Sequence, residues 1–121
     1  MLYSTRDWQT AISKLIQKTV NGELKWRNSD INNARPNAAI EKSLQAEQKG
    51  KIYVVSQSKY KYYYDEDNFS WEISYNFSVY QNNLSNLSQI AQAPSMNLID
   101  SLFDIAQNSY AYSNNALSDL L

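Results

Sequence analysis

A chain of 121 residues is long enough to bury one hydrophobic core and too short for two, so we expect a single domain over residues 1–121. Hydrophobic residues make up 43% of the sequence, as in globular proteins, and a net charge of -1 excludes a global field that would attract nucleic acid or an anionic membrane. Because the chain has no cysteine and no histidine, disulfides, the common metal sites, thiol catalysis and imidazole bases are excluded.

The N-terminal segment predicts an amphipathic helix. Ser4 and Asp7 have the spacing of a capping box, and Gly22 supplies a stop. Between them, apolar residues recur at helical spacing at Trp8, Ile12, Leu15, Ile16 and Val20. The segment has no apolar core of a signal peptide, and no stretch approaches the roughly 20 apolar residues of a membrane span. We therefore expect a cytoplasmic protein without a membrane segment.

The next part of the chain predicts a short strand, a loop and a longer strand. "ELKWR" (23–27) alternates apolar and charged residues, and "NSDINNARPN" (28–37) has the chemistry of a loop. Residues 38–49 suit either a helix or a strand. We favour a strand, because Gly50 would turn it antiparallel into "KIYVVSQSKYKYYY", which is strongly typical of β-structure.

The centre of the chain predicts a β-hairpin. From Phe69 to Val79, apolar residues occupy every second position between polar ones, which indicates a half-buried strand with one face in solvent. The intervening "DEDN" (65–68) has the length and composition of a four-residue hairpin connection. Its three acids face solvent at a turn, so we expect neither acid–base catalysis nor a calcium site from them.

The C-terminal third predicts a connection and a second helix. "QNNLSNLSQIAQAP" (81–94) is polar throughout and is expected to form a long connection, with at most one helical turn. Ser95 has the position of an N-cap, and Leu98, Ile99, Leu102, Ile105 and Ala106 follow at helical spacing. After Ser113 the helix continues or restarts. The leucines at the end of the chain either dock on the domain or form a dimer seam.

These elements predict a two-layer α+β domain. An antiparallel β-meander of three to four strands has one apolar face, and the N- and C-terminal helices pack economically on that face. The other face of the sheet is then expected to lie in solvent.

Two stretches resemble segments of a group of small uncharacterised bacterial and phage proteins. They are "GELKW" after the first helix and "KGKIYVVSQSKYKYYYDEDNFSWEISY" before the last one. Proteins of this group have an N-terminal helix, a G-x-L-x-W strand, a Tyr/Lys-rich hairpin and a C-terminal helix. The resemblance covers about half of the chain and implies an α+β fold and a role in bacterial conflict systems. It assigns no binding or catalytic residue.

The alternation of the hairpin strands predicts how their side chains divide between the two faces. We expect the apolar face to hold Tyr60, Tyr62 and Tyr64 as cross-strand partners of Phe69, Trp71, Ile73 and Tyr75. The opposite, solvent-facing side would hold Tyr53, Lys59, Lys61 and Tyr63 beside Glu72 and Asn76. Aromatic residues mixed with charges are typical of protein interfaces.

We therefore predict a protein that binds a partner and has no catalytic residue, metal ligand or cofactor. The candidate partner-binding residues are Tyr53, Lys59, Lys61, Tyr63, Asp65, Glu66, Asp67 and Glu72. The leading hypothesis is a small inhibitor of the immunity or phage anti-defence kind that binds a protein, as a monomer or homodimer. The first alternative is a sponge that sequesters a small nucleotide signal in a pocket of tyrosines and a few Lys or Arg. Single-stranded nucleic acid ranks last, because the adjacent acids would repel phosphates.

Overall fold

The computed structural model describes residues 1–84 and 86–121 and has an α+β fold, as predicted. Within these residues, five antiparallel strands lie in chain order in one sheet, so the sheet is a meander with one strand more than the three to four expected. The elements are α1 (Thr5–Val20), β1 (Arg27–Asn28), β2 (Ala38–Gln48), β3 (Lys51–Tyr63), β4 (Phe69–Asn83), β5 (Asn86–Gln92), α2 (Asn97–Ser113) and a 3-10 turn (Ser118–Leu120). No helix among the described residues is both long and apolar enough to cross a membrane.

The two helices begin in different ways. At α1 the predicted capping box is present: the Ser4 hydroxyl accepts from the Asp7 amide at 3.1 Å, and the Asp7 carboxylate accepts from the Ser4 amide at 2.8 Å. At α2 the predicted Ser95 cap is wrong, because the N-cap is Met96, whose side chain makes no capping hydrogen bond. Met96 instead packs against the hydrophobic core. Tertiary packing, rather than a polar cap, positions the start of this helix.

Both helices and one face of the sheet enclose the main core. The Trp8 ring of α1 meets the Phe77 ring of β4 edge to face, with centroids 6.1 Å apart. The Tyr75 ring packs on the Phe103 ring of α2, with centroids 5.3 Å apart. The buried apolar residues of this core are Trp8, Ile12, Leu15, Leu24, Trp26, Leu44, Ala46, Val55, Phe77, Ala93, Ile99, Leu102, Phe103 and Ala106. Helices packed on one face therefore agree with the prediction.

The other face of the sheet is only partly in solvent, which corrects the prediction. Residues 29–36, here called the strap, contribute Ile31 to a small cluster with Ile52, Val54 and Tyr80. Several polar side chains are also buried: Asn33, Ser43, Gln45, Ser56, Ser58, Asn76 and Ser78. In β4 the alternation correctly separated Asn76 and Ser78 from Phe77 and Val79. It could not show that a loop from elsewhere in the chain would bury the polar ones.

Asn33 joins the strap to the polar face through three hydrogen bonds. Its side-chain nitrogen donates to Ser78 Oγ at 3.2 Å and to the Val54 carbonyl at 3.4 Å, and its side-chain oxygen accepts from Ser56 Oγ. Arg35 adds a bond from Nε to the Asn76 side chain at 3.3 Å. Within the described residues, no buried side-chain nitrogen or oxygen lacks a hydrogen-bond partner. The strap thus replaces the water that these groups would otherwise bind.

The structure confirms one further expectation and changes two. The strand favoured for 38–49 is present as β2, whereas "ELKWR" contributes only Arg27 to β1. The segment 81–94 was expected to be a connection but contains β5. The register with β4 shifts opposite Val79 and Tyr80, at a bulge that includes Ile90. Because of the extra residue, Leu87 and Ile90 lie three positions apart, and the period of two is hidden. Position 85 of that segment lies outside the described residues.

Replacing Asn33 with alanine should destabilise the fold. The Ser56 and Ser78 hydroxyls and the Val54 carbonyl would lose their buried partner, so we expect the free energy of unfolding in urea to fall by about 1–3 kcal/mol. The matched control is Asn108→Ala on the exposed side of α2, expected to change it by no more than about 0.5 kcal/mol. Equal effects of the two substitutions would show that the strap is not held by Asn33.

Candidate interaction surface on the β3–β4 hairpin

The outer half of the β3–β4 hairpin carries exposed aromatic side chains. All 13 residues of β3 pair with β4, from Lys51 opposite Gln81 to Tyr63 opposite Phe69. Core packing on the helix side includes Val55 and Phe77 and extends to Tyr75, which touches α2. Beyond Tyr75, the side chains of the hairpin on this side are exposed.

The register corrects the predicted division of side chains between the faces. Lys59 pairs with Ile73, Lys61 with Trp71 and Tyr63 with Phe69, and paired residues project from the same face. The expectation that Tyr60, Tyr62 and Tyr64 share a face with Phe69, Trp71 and Ile73 is therefore wrong.

The cause is the length of the turn. A four-residue connection over 65–68 would have paired Tyr64 with Phe69. In the structure Tyr64 belongs to the turn, and its amide donates to the Asn68 carbonyl at 3.2 Å. A shift of one residue in register moves every side chain of a strand to the other face.

The corrected register brings two lysines and four large apolar side chains together. We call this set the aromatic–lysine surface, and it consists of Lys59, Lys61, Tyr63, Phe69, Trp71 and Ile73. The Lys59 ammonium lies 5.0 Å from the centre of the Trp71 ring, and the Lys61 ammonium lies 4.6 Å from that of Phe69. These are cation–π distances. Lys59 also forms an ion pair with Glu41 of β2 at 2.9 Å.

The rings of this surface pack on one another and remain accessible. The centroids of Phe69 and Trp71 are 5.7 Å apart in an edge-to-face arrangement, and those of Tyr63 and Phe69 are 5.5 Å apart. Even so, Trp71 is 54% exposed and Ile73 is 58% exposed. A contiguous exposed apolar patch of this kind marks an interaction site more often than isolated exposed residues do. Since Trp8 and Trp26 are buried, Trp71 is also a selective fluorescence reporter of this surface.

The structure separates the eight predicted partner-binding residues. Lys59, Lys61 and Tyr63 belong to the aromatic–lysine surface. Tyr53 does not, because its half-buried ring stacks on Phe77 within the core, with centroids 6.3 Å apart. Glu72 lies on the opposite face of the hairpin, paired with Tyr60, and accepts a hydrogen bond from Ser70 at 3.1 Å.

The three acids at the turn also have different surroundings. All three are exposed, but the Asp65 carboxylate accepts hydrogen bonds within the turn. Sequence reasoning missed Phe69, Trp71 and Ile73 as surface residues, because it expected the helices to cover the whole of that face. They do lie on the same face as Phe77, but beyond Tyr75, where the core packing ends.

Asp65 organises the hairpin turn as a hydrogen-bond acceptor. Its Oδ1 accepts from the amides of Asp67 and Asn68 at 2.9 and 2.8 Å, and both carboxylate oxygens accept from the Asn68 side chain. These bonds lower the pKa of Asp65 because they favour its charged form, and the bond from the Asn68 side chain contributes most to the lowering. Among the described residues, no three acidic side chains converge as ligands of one metal ion.

Comparison of the chain with models of protein families, with curated proteins and with solved structures found no match. The resemblance to small bacterial and phage proteins therefore stays a prediction.

Replacing Asn68 with alanine should raise the pKa of Asp65 towards its ordinary value of 3.8, because it removes the largest cause of the lowering. A carboxyl with a lower pKa in the folded state stabilises that state above its unfolded pKa, and the contribution disappears as the pH falls through the folded pKa. Carboxyl ¹³C titration of the wild type should thus give a midpoint below 3.8, with a higher midpoint in Asn68→Ala. Identical midpoints in the two proteins would contradict this description of the turn.

Proposed function

We propose that this chain is a non-catalytic binding protein that captures a partner protein on the aromatic–lysine surface. The observation that supports the proposal is the exposure of Trp71, Phe69 and Tyr63 as neighbouring rings on one face of a hairpin. Tryptophan and tyrosine are enriched among the residues that contribute most to protein–protein affinity. A two-stranded scaffold fixes the rings before binding, so little conformational entropy is lost when a partner covers them.

The charges of the surface indicate what the partner should offer. Lys59 already has Glu41 as an ion-pair partner, whereas Lys61 lies over the rings of Phe69 and Trp71. An apolar or aromatic side chain on the partner would cover the rings, and a carboxylate at its margin would complement Lys61. Because the ammonium groups of both lysines lie over the rings, a partner that covers the rings would also cover part of the lysine stems.

The class that we propose is an inhibitor of the immunity or phage anti-defence kind. Its support is the resemblance of the "GELKW" and hairpin segments to small bacterial and phage proteins, together with a surface suited to protein binding. An inhibitor of this kind needs only to cover a functional surface of its target. A small domain with one projecting aromatic hairpin has a suitable shape for that task.

A second candidate function is binding of single-stranded nucleic acid, and the corrected register favours it more than the sequence did. Phe69 and Trp71 now join Lys59 and Lys61 on one face, and rings for base stacking beside lysines for phosphates are typical of single-strand binding. The opposing feature is the acidic turn next to the surface, where Glu66 and Asp67 are exposed and would repel a phosphate backbone.

The nucleotide sponge receives less support from the arrangement of the side chains. It required a pocket lined by several tyrosines with lysine or arginine. The depression between the C-terminal ends of α1 and α2, of about 700 Å³, has one lysine, Lys25, and one tyrosine, Tyr112, among its lining residues. The exposed tyrosines of the hairpin strands, Tyr62 and Tyr63, lie on open sheet surface instead.

The test uses the purified protein as bait, with Trp71→Ser and Lys61→Glu as surface variants. Tyr62→Ser is the matched control, because Tyr62 is similarly exposed but projects from the other face of the hairpin. We expect a partner from a bacterial lysate to be retained by the wild type and Tyr62→Ser. Removing a central aromatic residue should weaken its binding at least tenfold, on the order of 1.4–2 kcal/mol. Circular dichroism of each variant establishes that it is folded.

Fluorescence of Trp71 then separates protein from nucleic-acid binding. The purified partner should shift the emission of the wild type and leave that of Trp71→Ser unchanged. A single-stranded oligothymidine should have no effect. If the oligothymidine quenches Trp71 and its affinity falls steeply with salt, the surface binds nucleic acid and the protein-binding proposal is wrong. It is equally wrong if all four baits retain the same proteins.

A further inference from the structure

The last strand of the sheet has an open edge. β5 pairs with β4 on one side, and in the described part of the chain no strand pairs with its other side. Apart from Ala91, its side chains are exposed, including Leu87 at 46% and Ile90 at 49%. The opposite edge of the sheet is formed by β1, which has two residues and offers little backbone for pairing.

Charged side chains, the usual protection of such an edge, are missing here. Open edges of natural sheets carry lysine, proline or bulges, which prevent pairing with another chain. In this sequence no charged residue occurs between Glu72 and Asp100, a stretch that contains the whole of β5. The strand also has no proline. It does contain the bulge at Ile90, and residues 86–89 before the bulge pair regularly with 80–83 of β4.

We infer that β5 pairs antiparallel with β5 of a second copy, which joins the two sheets into one sheet of ten strands. A twofold axis at Ser88 would pair Ser88 with its own counterpart and Leu87 with Gln89 of the second copy. A charged residue on this short strand would therefore lie close to a like charge across the axis, and the absence of charge suits a second copy in particular. Pairing would satisfy the open backbone groups and cover part of Leu87.

The inference does not depend on the function of the hairpin. The aromatic–lysine surface is at the turn end of β4, whereas β5 pairs with the other end of that strand, residues 78–83. A variant of either site should therefore leave the other unchanged.

The experiment measures self-association of the full chain by sedimentation velocity and native mass spectrometry. The wild type should form a dimer of twice the 14.0 kDa chain mass. Ser88→Lys should weaken self-association at least about tenfold, because each lysine would face its counterpart across the twofold axis. Ser88→Glu should do the same. Mixing the two variants should restore a heterodimer, since opposite charges would now meet.

Two controls address other surfaces. Leu120→Lys alters the exposed leucines at the C-terminus, and Lys61→Glu alters the hairpin; both should leave the dimer intact. The inference is overturned if the wild type stays a monomer at all concentrations, if Ser88→Lys dimerises normally, or if Leu120→Lys abolishes the dimer. It is also overturned if Ser88→Lys and Ser88→Glu, each folded by circular dichroism, fail to associate when mixed.

Discussion

The pairing of β3 with β4 fixes which side chains share a face, and the rest of the structure depends on that assignment. The five residues from Tyr64 to Asn68 connect Tyr63 to its partner Phe69, and the register continues unshifted to Lys51 and Gln81. At the inner end it places Val55 and Phe77 together beneath the helices. At the outer end the same face holds lysines and aromatic rings. One register therefore builds both the core and the exposed surface, so a slip at the turn would disrupt both.

The helices cover one face of the sheet and the strap covers part of the other, and the side chains of each face match what covers them. Helices α1 and α2 bring apolar side chains, which exclude water and need no specific partner atoms. The strap brings polar groups, which must find partners at fixed positions, as Asn33 does with Ser56 and Ser78. Hydrogen bonds of this kind add little net stability in water, but leaving one unmade in a buried place is costly. The hydrogen bonds of the polar face therefore fix the position of the strap, while contributing little to the net stability of the fold.

Local signals in the sequence predicted the elements that depend on local interactions. The capping box of α1 and the alternation of β4 are satisfied within a few residues of chain, and both are present in the structure. The α+β class followed from these elements.

The predictions that were wrong concern features that the local sequence does not decide. The faces of β3 depended on whether Tyr64 belonged to the strand or to the turn, which the composition of "KYYYDEDNF" does not decide. The burial of Ser56 and Asn76 depended on a loop more than 20 residues away in sequence. β5 was hidden by its bulge. For the candidate surface, the sequence identified Lys59, Lys61 and Tyr63 but placed Phe69 and Trp71 on the opposite face.

An exposed aromatic hairpin and an uncharged sheet edge are both hazards for a protein that must stay dispersed, yet they differ in how they are protected. The hairpin has charges close to its rings: Lys59 and Lys61 lie over them, and Glu66 and Asp67 stand at the turn. Such charges discourage unspecific aggregation while leaving the rings accessible to a complementary partner. β5 has no comparable charges, so a specific backbone partner is its most direct protection. Antiparallel pairing of two β5 strands would keep both hairpins on the same side of the joined sheet, at opposite ends. The dimer would then be bivalent, and a partner with two copies of the recognised surface would be held more tightly than one hairpin could hold it.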